Sequence, residues 1–160
     1  TRAITEALAA NAAVTPDDCQ HLQLSVRSIP WEEARDAVLS LPAAGDADAE
    51  LGLSLLRGWD GQVSARSPAA AVWEQFVGEA ATRLAKAKEP GRWRALLGGG
   101  GGPPESNFFG VRRVSHLLRL MKDRPAGWFP RPWPAELAAA LGDAVRGLRT
   151  RSGPSPEWWE

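Results

Sequence analysis

Few side chains in this sequence are reactive and also placed beside a chemical partner. Cys19 and His21 suggest a thiolate–imidazole pair, but two residues apart on a helix they point to different faces. No third residue that would orient such a pair is evident. The other histidine, His116, lies far along the chain, and neither histidine belongs to a metal-ligand spacing. Trp59-Asp60-Gly61 is the most informative tripeptide. Asp-Gly is ordinary turn chemistry. For catalysis Asp60 would need a partner group, and Arg57 and Arg66 offer only an ion pair. The expectation is that Trp59 plugs a core while Asp60 caps a turn between two helices. Gly98 to Gly102 could suggest a phosphate cradle, but the lysine and hydroxyl of a P-loop do not follow, and Pro103-Pro104 does. That run is expected to be a linker. The reading assigns no catalytic, cofactor-binding or metal-binding residue.

Composition bounds the remaining possibilities. The 160 residues suffice for one domain with a hydrophobic core. Nineteen basic residues balance 19 acidic ones and are scattered, so no stripe favours nucleic acid or an anionic membrane. With one cysteine, an intrachain disulfide, a CxxC redox pair and a cysteine-rich zinc site are all excluded. Such a chain is compatible with either side of a membrane. No apolar run approaches the roughly 18–20 residues of a spanning helix. The opening Thr1-Arg2-Ala3-Ile4 is not read as a signal peptide. Eight tryptophans and no tyrosine point to packing between helices, since Trp brings a large apolar area and a single donor to satisfy.

The elements that would position these residues are helices. Residues 2–11 carry Ile4, Ala7 and Leu8 on one face. Thr15-Pro16-Asp17-Asp18 is a strong helix start, with a capping hydroxyl, proline at the first position and acids near the positive end. This helix is expected to end near Val26. Pro30 opens the next, with Trp31, Ala34, Val38 and Leu41 inward, and Glu50 to Arg57 gives a short one closed by Gly58. Ser67-Pro68 begins a long helix to about Lys88, burying Val72, Phe76, Ala80 and Leu84. Its Arg83, Lys86 and Lys88 suit the negative helix end. A brief helix at 92–97 follows. Val111 to Lys122 presents Val114, Leu117, Leu118 and Met121 inward. After an aromatic–proline segment around Trp128, Phe129 and Trp133, Pro134 starts a last helix to about Thr150. That helix turns Leu137, Ala140, Leu141, Ala144, Val145 and Leu148 inward. The tail ends in Trp158-Trp159, expected to be exposed. No strand pattern competes. The expected class is all-α, about seven helices in irregular orthogonal packing, forming one domain over residues 1–160.

Two stretches resemble the penicillin acylase family of N-terminal nucleophile hydrolases. Thr15 to Ser28, TPDDCQHLQLSVRS, is similar to the family's helix and exit of a threonine, two acids, then leucine-glutamine, aspartate-valine and serine. Leu55-Leu56-Arg57-Gly58-Trp59-Asp60-Gly61 with Ser67-Pro68-Ala69-Ala70-Ala71-Val72-Trp73-Glu74 resembles its tryptophan-aspartate-glycine segment and following capped helix. Leu148 to Trp159 is similar to the run before a tryptophan-glycine strand. Ser25 departs from the pattern, which usually has aspartate there. The resemblance implies a parent that hydrolyses the amide of a β-lactam or related acylated amine. In it, the β-chain opens with a catalytic serine whose own α-amino group is the base. Here Thr1 stands first and runs straight into a helix start rather than a buried strand, so it is not read as that nucleophile. The family's oxyanion-hole asparagine lies upstream of the matched region. A functional arginine of the family falls at Arg2 or, in a register one residue along, at Ala3.

The expectation is therefore a non-catalytic helical portion of the β-subunit, packed beside an αββα catalytic core and helping to shape the substrate approach. Its partners would be the remainder of the parent acylase and, in the parent only, an acylated small molecule. No cofactor, nucleic acid or membrane is implied. The competing reading is a stand-alone helical interaction domain with a Trp-rich surface formed by residues 128–133 and Trp158-Trp159.

Overall fold

A proline behind a capping side chain sets three of the helix starts. Thr15 caps the helix that begins at Pro16 with a reciprocal capping box to Asp18. Ser28 caps one with Pro30 in its first turn, and Ser67 caps one that begins at Pro68. The computed structural model describes residues 2–11, 13–97 and 108–159, with side chains at 108–113 excluded. Thr1 and the glycine–proline run 98–104 lie outside the described residues. Among those described there are eight α-helices: α1 (Arg2–Ala10), α2 (Pro16–Gln23), α3 (Ile29–Leu39), α4 (Ala47–Arg57), α5 (Pro68–Lys88), α6 (Trp93–Leu96), α7 (Phe108–Asp123) and α8 (Trp133–Ser152). A 3-10 turn, Pro156–Trp158, follows. The class is all-α, as the periodicity indicates. Among the described residues β-pairing is confined to one isolated antiparallel bridge, Arg27 to Gln62.

The centre of the packing is α8, which lies against α5 and α4, while α3 packs on α7. The inward stripe of α8 is the expected one: Leu137, Ala140, Leu141, Ala144, Val145 and Leu148 are all buried. Its alanines keep the layer thin. Gly52 of α4 does the same from the other side, since a Cβ there would sit 2.9 Å from Leu141 Cδ1. From α5 come Val72, Trp73, Phe76, Val77 and Ala80, and from α3 Trp31, Ala34 and Val38. Leu117, Leu120 and Met121 of α7 complete the core. None of the described helices is long and apolar enough to cross a membrane.

Several local expectations are corrected. The second helix stops at Gln23 rather than near Val26, because the backbone of 26–28 leaves it to bond with residues 61–63. Gly58 ends α4 at an ordinary right-handed φ of −87°, so its freedom from a side chain is not used there. The apolar stripe of α1 exists but is not covered: Ile4 is 52% and Leu8 51% exposed. Arg83 does not serve the α5 terminus but reaches across to α8. The two tail tryptophans part company. Trp158 is 59% exposed, whereas Trp159 is 1% exposed, with its Nε1–H donating to the Gly153 carbonyl at 2.9 Å.

Candidate functional site

The Trp59-Asp60-Gly61 turn is built from the end of α4 and fastened to the exit of α2. Trp59 follows the helix directly, its N–H donating to the Leu56 carbonyl at 3.2 Å. Its indole is 7% exposed and lies 5.1 Å, centroid to centroid, from the Trp31 ring. Trp31 in turn meets Trp73 edge-on at 5.3 Å, and Trp73 meets Phe76 at 5.9 Å, so four aromatic rings from α3, α5 and the turn form one stack. The donor of Trp59 is satisfied locally, by the Gln62 carbonyl at 3.0 Å.

Asp60 makes the turn. Its Oδ1 accepts from the Gln62 N–H at 2.9 Å, the two-residue closure typical of aspartate in turns. Gly61 then takes φ +82°, and a Cβ there would lie 3.0 Å from Trp31 Cδ1. Both the conformation and the space call for glycine. The turned backbone meets the 26–28 segment: Ser28 N–H donates to Gly61 O and Val63 N–H to Val26 O, each at 2.8 Å. Ser28 is 6% exposed, and its hydroxyl accepts from Trp31 N–H at 3.3 Å to start α3. The two stretches that resemble penicillin acylases are thus one physical joint.

The model of the penicillin amidase family matches residues 1–160, the whole chain. The chain belongs to the penicillin amidase family. No curated protein matches it.

The remaining candidates of this family member are not gathered into one site. Cys19 is exposed. It and His21 both border a shallow groove between α1 and α2, together with Ala7, Leu8 and Leu22, and no hydrogen bond joins them. His116 lies on α7, where its Nδ1 is 3.2 Å from Arg119 Nη2. Arg2, the candidate for the family's functional arginine, is bound to three glutamates: Glu6 at 2.7 Å, Glu33 at 3.1 Å and Glu32 at 3.9 Å. Ala3, the other register, carries no polar group. Exposed Ser25, at the position of the family's usual aspartate, lies just past the end of α2 and donates its N–H to Leu22 O at 3.3 Å. Among the described residues no group of three or more His, Cys, Asp or Glu could hold a metal ion.

Among the described residues the most connected polar assembly lies elsewhere and has no sequence motif. Glu136, in the first turn of α8 and 6% exposed, receives Arg131 Nε at 2.7 Å and Arg83 Nη1 at 3.1 Å. Arg83 also pairs with Asp143, which Arg146 holds at 2.7 Å. Arg146 reaches Asp46 at 3.3 Å and Asp48 at 3.4 Å, and Arg149 pairs with Asp48. The chain of pairs ties α5, α8 and the start of α4 together. The Arg131 hydrogen bond holds the Glu136 carboxyl below its usual range against the opposing effect of burial. Burial opposes ionisation of Asp143 and Asp46 too, but Arg146 and Arg83 for the first, and the Ala49 N–H and Arg146 for the second, keep both low. With Glu136, Asp143 and Asp46 each held below the usual carboxylate range beside a guanidinium, the network stabilises charge.

Proposed function

We propose that this chain is the helical, non-catalytic portion of the β-subunit of a penicillin amidase-type hydrolase. Its parent cleaves the linear amide of a β-lactam or related acylated amine. The chain acts as one helical domain packed beside the catalytic core. The observation that carries this reading is the joint itself. The two stretches most like the family's are spent on each other, with Trp59 filling the aromatic stack and Asp60 closing its own turn. The most conspicuous carboxylate of the sequence is therefore a structural one. The Trp-rich interaction surface is less well supported, because Trp133 and Trp159 are buried and Trp128 lies under Lys88, whose Nζ is 4.4 Å from its ring centroid.

The test is a hydrolysis assay of the purified 160-residue chain against a penicillin, a cephalosporin and an acyl-homoserine lactone, followed by release of the free amine. The expected result is no release above a heat-denatured control. Turnover that disappears in Thr1→Ala would overturn the proposal and make Thr1 the nucleophile.

A further inference from the structure

The first helix is attached to the body in a different way from every long helix behind it. Neither it nor the short α2 beside it buries a side chain, whereas α3, α4, α5 and α8 each bury three or more. Its two large apolar side chains, Ile4 and Leu8, stay about half exposed, and Leu8 borders a groove shared with α2. Charge spans the gap instead. Arg2 reaches Glu33 at 3.1 Å and Glu32 at 3.9 Å, and Glu6 receives Arg27 Nη1 at 2.8 Å, with Arg27 also paired to Glu32. On the α2 side, Asn11 Nδ2 donates to Asp18 Oδ2 at 3.1 Å.

We propose that α1 is a detachable arm, latched to the start of α3 by the Arg2–Glu6–Arg27–Glu32–Glu33 ion-pair cluster, which opens as a unit while the helical core stays folded. The cluster is solvent-facing, so dissolved ions screen it. The Debye length falls from about 10 Å at about 0.1 M salt to about 3 Å at about 1 M. Apolar contacts respond in the opposite sense, since salts that are excluded from protein surfaces strengthen burial. The direction of the salt response therefore tells the two kinds of attachment apart. Opening carries Ala7 and Leu8 away from the α2 wall of the groove, where Leu22 lies. This inference is independent of the functional proposal above, because it concerns how the chain holds itself together.

The experiment is amide hydrogen exchange of the intact chain, read by mass spectrometry at about 0.1 M and about 1 M sodium chloride. Residues 137–148 of α8 serve as the internal reference. The expected result is that residues 2–10 exchange on the order of ten-fold faster at the higher salt while the reference is unchanged, since local opening draws on few interactions. Glu6→Gln and Arg27→Gln should each speed exchange of residues 2–10 at low salt and weaken its salt dependence, which the remaining pairs of Arg2 with Glu33 and Glu32 still carry in part. Glutamine is chosen because its helix propensity is close to that of the residues replaced. Should Arg27→Gln also accelerate the reference, Glu6→Gln, which lies on the arm alone, decides. Exchange of residues 2–10 that slows with salt, or that Glu6→Gln leaves unaltered, would overturn the proposal.

Discussion

Replacing Trp59 by alanine removes an indole that is 7% exposed, wedged against Trp31 at 5.1 Å and hydrogen-bonded to the Gln62 carbonyl. Burying such a side chain hides about 150–200 Å² of largely apolar surface, worth about 4–5 kcal/mol at about 25 cal/mol per Å². The lost hydrogen bond adds little, because Gln62 is exposed and its carbonyl turns to water. The expected cost is therefore about 3–5 kcal/mol, the range found for large aromatic truncations in cores. Much of it would come from loss of the stack that holds Trp31 in place over Gly61. Urea denaturation followed by circular dichroism gives the number, provided the slope with denaturant is unchanged. Trp59→Phe keeps a ring in the same slot and should cost about 1–2 kcal/mol, as volume-reducing aromatic swaps do. A loss below about 1 kcal/mol for Trp59→Ala would be that of a surface substitution and would refute the joint as a stabilising element.

Two more perturbations probe the packing and the charge network. Gly52→Val forces a branched side chain into the 2.9 Å gap to Leu141 and should lower stability by about 1–3 kcal/mol in the same urea titration. Glu136, Asp143 and Asp46 all have depressed folded-state pKa values, so their stabilisation is complete above the unfolded values of about 4. It is lost as pH falls through the lower folded values. The urea midpoint should therefore be flat from about pH 6 to about pH 5 and drop below about pH 4. The drop should be shallower in Glu136→Gln, and equal slopes in the two proteins would remove Glu136 from the explanation.

The all-α class and most helix starts were legible because they are local properties. Thr15-Pro16 and Ser67-Pro68 cap as their side chains dictate, and the inward residues of α8 follow the 3.6-residue period. What could not be read is what depends on a distant partner. Nothing adjacent to Glu136 announces that Arg83, 53 residues earlier, will cover it. The pairing of 26–28 with 61–63 likewise shortens α2 by a contact that spans more than thirty residues. Trp158 and Trp159 are indistinguishable as residue types, and only the 3-10 turn decides which of them is buried. In α1 the apolar stripe was readable, but its lack of a covering surface was not, since periodicity says which face is apolar and not what meets it. For the candidate site, Asp60 was legible as a turn former, while its fastening to Ser28 and Val26 through the neighbouring backbone was not.

The most direct test of a structural Asp60 is Asp60→Asn, introduced into the penicillin amidase-type parent proposed above. Turnover should be normalised to titrated active sites, and urea stability of the 160-residue chain measured alongside. Asparagine keeps the side-chain oxygen that accepts from Gln62 N–H, so the stability cost should stay within about 1 kcal/mol, less than outright loss of a hydrogen bond to a charged group. Turnover per active site should be unchanged, and any deficit should lie in folding yield. An Asp60→Asn enzyme that folds in full yield with unaltered stability but no longer hydrolyses its amide would make Asp60 catalytic and contradict the account.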